Sequence, residues 1–336
     1  MARSAHWAAA ALTMLCLACL PDRLDTPALQ AKVEATQAVQ VGCGNGKLED
    51  KEQCDDKASG FCGGCVGCQR RRAWHIKDAN GLAVVPNTQV KNIDKVLGDS
   101  KNGFSVEFWF RSDKLPVKTD KAPAVHTLVA IVVMDSAGKS PGLTMSIARD
   151  GDKNAWYPVC IYNLPGPATS QTVAVQGTDP IVAGSWHHLR CALNDKTSKI
   201  QMRFDGGKTL ESPNALLKLG AKPFFDPQTL GIIGAVPVHK DDLGQIFTGA
   251  MDELRVVTGP HAYDFGQLKY RWSGDEPGTQ ALYHMDIAPG ERLLMDAGSN
   301  VVHAFSAAVL ESQADDCYGF SAEQAQCKAT APWCGK

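Results

Sequence analysis

The sequence predicts an all-β protein, an antiparallel β-sandwich carrying a small disulfide-rich N-terminal module. Short segments of apolar/polar alternation recur between about residues 72 and 312, turn-rich clusters separate them, and no helix-period segment longer than about two turns competes. In Phe104-Ser105-Val106-Glu107-Phe108-Trp109-Phe110-Arg111, the period of two puts Phe104, Val106, Phe108 and Phe110 on one face. Leu128 to Met134 is a short apolar run, and Leu143, Met145 and Ile147 alternate again. Trp186 to Leu193 and Ile200 to Phe204 read as a hairpin joined by Asn194-Asp195-Lys196-Thr197-Ser198, with Asp205-Gly206-Gly207 as the next turn. Asp150 to Asn154 has the look of a calcium loop but lacks the following glycine and the distal glutamate, so it reads as a hairpin turn. Leu230 to Gly234 supplies a further strand. About 240 residues suffice to bury a full core between two sheets.

One strand, Gly249 to Val257, breaks the simple pattern. Strict alternation places Ala250, Asp252, Leu254 and Val256 on one face, and Met251, Glu253, Arg255 and Val257 on the other. A carboxylate on an apolar face needs backbone N–H groups, a hydroxyl or a cation as partner. On the opposite face Glu253 and Arg255 are expected to form a solvated pair of little energetic value.

Bulk composition narrows the function classes. Thirty-four basic residues balance 36 acidic ones in 336, for a net charge of −2, and the only basic cluster is Arg70-Arg71-Arg72. Nothing here points to nucleic acid. Twelve cysteines argue for an oxidising compartment. Residues 1–18 read as a signal peptide, with Arg3 followed by the apolar run Trp7 to Leu20, and no second run of spanning length follows. Residues 19–42 form a tether, 43–71 a Cys-rich module, 72–312 the sandwich and 313–336 a Cys-containing tail.

Five cysteines, Cys43, Cys54, Cys62, Cys65 and Cys68, lie within 26 positions, too few residues to own a core, so disulfides are expected to hold the module. Cys160 and Cys191 fall in strand patterns and either bridge each other or stay free and buried. With Cys317, Cys327 and Cys334 at the other end, both ends hold an odd number, which predicts one disulfide between them.

Three stretches resemble known families. Leu15-Cys16-Leu17-Ala18-Cys19 resembles a bacterial lipoprotein box, which implies lipid attachment at Cys19, membrane association by that anchor alone, and an outer-membrane or cell-surface location; plain secretion is the alternative. Cys43-Gly44-Asn45-Gly46 through Cys54-Asp55-Asp56 resembles a short Cys-rich repeat typical of myxobacteria, although three cysteines stand at its end where the family usually has two. Phe104 to Arg111, Trp186-His187-His188-Leu189, Phe204-Asp205-Gly206, Leu230 to Gly234 and Gly249 to Val257 together resemble the laminin-G-like jelly roll of the concanavalin A-like lectin and glucanase superfamily. Ala281 to Asp286 and Leu293 to Asn300 resemble a signature that often begins a domain in that family. With only about 50 residues left, these strands are expected to pair back into the same sandwich.

The jelly-roll resemblance implies a lectin, an adhesive module or a glucanase. The paired-acid motif of the retaining glucanases is absent, as are G-x-S-x-G and H-E-x-x-H, so no enzyme is expected. His187 and His188 are adjacent and face opposite ways, as a core-edge and a surface histidine. Calcium is the one cofactor expected from the resemblance. Its candidate ligands are Asp252, Asp286, Asp296 and Asn300, with the alternative that Asp252 accepts hydrogen bonds from a neighbouring turn and the others shape a turn. The expected function is non-catalytic recognition of a glycan or glycoconjugate at the cell surface; a structural or protein-binding adhesive module is the alternative, and a glycoside hydrolase a remote one. Trp156, Tyr157 and Trp272 discriminate: exposed, they offer sugars a stacking platform, whereas buried, they favour the adhesive reading.

Overall fold

A computed structural model describes residues 65–66, 69–70, 72–77, 83–85, 103–115, 125–133, 142–150, 154–164, 171–194, 196–214, 229–233, 247–259, 262, 265–266, 272–285, 293–294, 297, 304–306 and 311–314. Among them the regular structure is strand, with no α-helix. In chain order the strands are β1 (Cys65–Val66), β2 (Gln69–Arg70), β3 (Arg72–Ile76), β4 (Ala83–Val85), β5 (Phe104–Ser112), β6 (Val125–Val133), β7 (Gly142–Asp150), β8 (Ala155–Leu164) and β9 (Gln171–Gln176). They continue as β10 (Trp186–Asn194), β11 (Lys199–Phe204), β12 (Leu210–Glu211), β13 (Thr229–Ile233), β14 (Gly249–Thr258), β15 (Thr279–Tyr283), β16 (Leu293–Leu294), β17 (Ala304–Ser306) and β18 (Glu311–Ala314).

Two eight-stranded antiparallel sheets result. The first runs β12-β11-β10-β5-β14-β3-β18, with β15 also paired to β14; the second runs β16-β17-β4-β13-β6-β7-β8-β9. Alternation dictates the core between them. Phe104, Val106, Phe108 and Phe110 of β5 meet Leu143, Met145 and Ile147 of β7 in one buried cluster, joined by Leu189 and Leu193 of β10 and Val173 and Val175 of β9. Burying a large apolar side chain of this kind contributes about 1.5–3 kcal/mol. The expected hairpin is present: β10 pairs with β11 from Leu189 opposite Phe204 to Asn194 opposite Lys199. Its turn closes because the Asn194 side-chain oxygen accepts the N–H groups of Lys196 and Thr197. After β11, Asp205 and Gly206 both take positive φ, and the Gly207 N–H returns to the Phe204 carbonyl. Asn154, also at positive φ, closes the β7–β8 connection through its N–H to Asp150 O.

The strands after residue 279 return to the sandwich as expected: β15 pairs with β14, β17 with β4 and β18 with β3. Cys160 of β8 and Cys191 of β10 are disulfide-bonded and fully buried, so the bridge staples one sheet to the other. Cys65 lies in the small β1–β2 hairpin. Cys19, Cys43, Cys54, Cys62, Cys68, Cys317, Cys327 and Cys334 fall outside the described residues.

Candidate functional site

The outward face of the first sheet carries charge where a solvated sheet would carry simple polar residues. Register builds a row across four strands: Arg203 on β11 stands opposite Arg190 on β10, Arg190 opposite Glu107 on β5, and Glu107 opposite Arg255 on β14. Glu107 is 2% exposed, and Arg190 and Arg255 are also buried. Charges out of water need close partners. Arg255 Nη1 donates to Glu107 Oε1 at 3.0 Å, and Arg190 Nη1 lies 3.8 Å from the other carboxylate oxygen. Arg255 Nε donates to Thr279 Oγ1 at 2.8 Å, and its guanidinium stacks 4.1 Å from the Trp272 ring.

The chain that follows β14 supplies the rest. Arg190 donates to the Ala262 carbonyl at 2.9 Å and lies 4.7 Å from the Phe265 ring. Arg203 donates to the carbonyls of Phe265 and Gly266 at 2.6 and 2.8 Å, and to those of Gly206 and Gly207. Guanidinium groups thus fasten this connection over the sheet through its backbone oxygens. Its ends are tied together where the Thr258 N–H meets the Gly278 carbonyl.

One row along, His188 stands opposite Trp109, which stands opposite Asp252. His188 was expected at the surface, and the structure corrects that: it is buried against the Trp109 ring at 5.1 Å, because the outward face is itself covered. Both its ring nitrogens lack a hydrogen bond among the described residues, and Nε2 sits 3.6 Å from Glu107. Burial, followed by the charges of Arg190 and Arg203, pushes its pKa from 6.5 down to about 3, so the ring is neutral. His187 points the other way and is satisfied, with Nδ1 2.7 Å from Asp205 and Nε2 at the backbone of Val182.

The strict alternation read for Gly249 to Val257 also needs correction. Between Asp252, opposite Trp109, and Arg255, opposite Glu107, β14 has two residues where β5 has only Phe108. This β-bulge centres on Glu253, whose φ is 51°. It turns Met251, Leu254 and Val256 toward the core, and leaves Ala250 and Asp252 on the outward side. Asp252 is fully buried and its Oδ1 accepts the Glu253 N–H at 2.8 Å, a local anchor for the bulge. Glu253 and Arg255 form no solvated pair. Both are buried, Arg255 facing Glu107, while Glu253 accepts the Trp272 N–H at 3.1 Å and lies 2.7 Å from His284 Nδ1.

Asp286, Asp296 and Asn300, expected beside Asp252 as calcium ligands, lie outside the described residues. Between them in the chain, the Ala297 N–H bonds to the Leu282 carbonyl of β15. Trp156, Tyr157 and Trp272 are all buried, Trp156 in the main core and Trp272 over Arg255, so the described residues hold no platform from these three. Sequence reasoning missed Glu107, Arg190, Arg203 and His284. The signal for the first two was present, since each occupies the outward position of a strand whose inward positions are apolar.

Comparison with known proteins agrees with this architecture. Residues 86–261 match the family model of the concanavalin A-like lectin/glucanases superfamily. No curated protein matches the chain. Among solved structures, a Bacteroides ovatus protein provisionally assigned as carbohydrate-binding is 14% identical, with a TM-score of 0.45 over 73% of this chain, which spans 60% of that one. The sialidase CBM40 of Ruminococcus gnavus, bound to α2,3-sialyllactose, is 8% identical with a TM-score of 0.38, covering 55% of this chain and 89% of its own. Domains LG4-5 of the mouse laminin α1 chain are 15% identical with a TM-score of 0.36, covering 57% of this chain and 42% of theirs. Two antiparallel sheets packed on one aromatic and aliphatic core, together with a family match over more than half its length, place this chain in the concanavalin A-like lectin/glucanase superfamily.

Proposed function

We propose that this protein is a non-catalytic binding module of lectin type, exported and held at the cell surface through Cys19, whose ligand is a glycan or glycoconjugate. The observation that carries the non-catalytic part is the state of the outward carboxylates. Glu107, Asp252 and Glu253 are all buried, and each already holds a partner: Arg255 for Glu107, the Glu253 N–H for Asp252, and the Trp272 N–H with His284 for Glu253. A glycosidase needs two carboxyl groups flanking the scissile bond, with room for a sugar ring between them. Acids buried and already partnered in this way do not meet that need. Superfamily membership supports a glycan as the ligand class, and the buried Cys160–Cys191 disulfide fits an oxidising compartment.

A second reading, a protein-binding adhesive module without a sugar site, is favoured by the inward Trp156, Tyr157 and Trp272. A glycan array probed with the chain lacking its signal peptide and carrying Cys19→Ser, with calcium and then with chelator, separates the two. Saturable binding to a defined glycan is the expected result, and loss with chelator would add calcium to the site. Silence under both conditions would sink the glycan reading and leave the adhesive one.

A further inference from the structure

His284 follows the last residue of β15 and is held by a carboxylate that has no access to water. Glu253 can only accept. One of its oxygens takes the backbone N–H of Trp272 and the other lies 2.7 Å from His284 Nδ1, so Nδ1 carries a hydrogen and the ring is oriented with Nε2 directed away from Glu253. The His284 side chain remains 19% exposed, and its Nε2 is neither sealed from solvent nor bonded among the described residues. His187 provides the contrast, because its pair with Asp205 spends both ring nitrogens inside the fold.

The backbone adds an independent observation. Among the described residues, five other than glycine have positive φ: Asn154, Ser198, Asp205, Glu253 and Met285. The first three occupy turns and have short polar side chains suited to that conformation. Glu253 takes it at the β14 bulge, while Met285, next to His284, has neither a turn nor a short polar side chain to account for it. Unfavourable backbone conformations concentrate where a fold must aim a side chain at a ligand.

Resting on the glycan-binding reading, we propose that His284 Nε2 is a hydrogen-bonding contact for a ligand hydroxyl, with Glu253 as its positioning residue. The site lies where β15 ends beside the β14 bulge. Recognition there is polar, which suits a domain whose candidate aromatic platforms are buried.

The test uses the full chain on the glycan array, with ¹⁵N-histidine NMR as a second readout. His284→Asn keeps an N–H for Glu253 but removes the outward ring nitrogen. It should leave the thermal midpoint unchanged and weaken the best glycan roughly tenfold, the value of one well-aligned hydrogen bond. Glu253→Gln should shift the His284 tautomer balance and weaken binding less. In the parent, the His284 Nε2 resonance should move on saturation with that glycan, a readout that needs no variant to fold. Parent-like binding by His284→Asn, or an Nε2 resonance that stays still, overturns the proposal while the glycan reading stands. A parent that binds no glycan overturns both.

Discussion

Glu107 sits between two guanidinium groups from neighbouring strands, and its worth is best judged by removal. Substitution Glu107→Gln would leave Arg190 and Arg255 buried without their counter-charge, a situation that costs roughly 3–5 kcal/mol. Urea unfolding should show that loss, and a variant within about 1 kcal/mol of the parent would mean that water reaches the row. His188 sets a pH dependence of definite sign. Its folded pKa of about 3 lies below the ordinary 6.5, so between those values the unfolded chain binds a proton that the folded chain refuses. The stability this neutral ring contributes at neutral pH is therefore lost progressively as pH falls from 6.5 toward 3. His188→Phe, which keeps a ring against Trp109, should flatten the fall of the thermal midpoint over that window relative to the parent. An unchanged slope would assign the acid sensitivity elsewhere.

At the scale of elements, β14 shows how one strand serves the core and the outward face together. The bulge at Glu253 reverses the side-chain pattern within a single strand, so Met251 and Leu254 both reach the core although three positions apart. Gly249 opens the strand at φ +149°, and a Cβ there would run into the Arg111 carbonyl and the Phe247 ring. Gly249→Ala should cost about 2–3 kcal/mol through backbone displacement. Thermal unfolding checks this, and a midpoint equal to the parent's would show that the strand start relaxes freely. The β10–β11 hairpin is the opposite case. Its two strands and the turn-rich Asn194 to Ser198 connection follow from local sequence alone, which is why they were legible beforehand, while the register came from the structure.

For the molecule as a whole, the two sheets are held by one continuous core and one covalent staple. The Cys160–Cys191 bridge closes a span of 31 residues, which on chain-entropy grounds stabilises the fold by about 3–4 kcal/mol. The double variant Cys160→Ala/Cys191→Ala should lower the guanidinium midpoint accordingly, and an unchanged midpoint would show that the core alone joins the sheets. The outward face of the first sheet is covered too, by backbone carbonyls that accept from Arg190 and Arg203. There the central strands β5, β10 and β14 are buried on both sides, and the expected surface residues turned out to be interior.

By itself the sequence determined the all-β class, the inward faces of β5 and β7, the β10–β11 hairpin with its turns and the return of the last strands to the sandwich, because alternation and turn chemistry act over a few residues. Phe104 to Phe110 and Leu143 to Ile147 needed nothing more. Only the tertiary structure decided which face of Gly249 to Val257 was which, since the bulge arises from two strands paired out of step. It also decided that Glu107, Arg190 and Arg255 share one buried row with His188 beside it, and that Glu253 turns to His284 instead of Arg255. Those partners lie between 31 and 148 positions apart, and no local pattern encodes a meeting that strand order and a covering connection create.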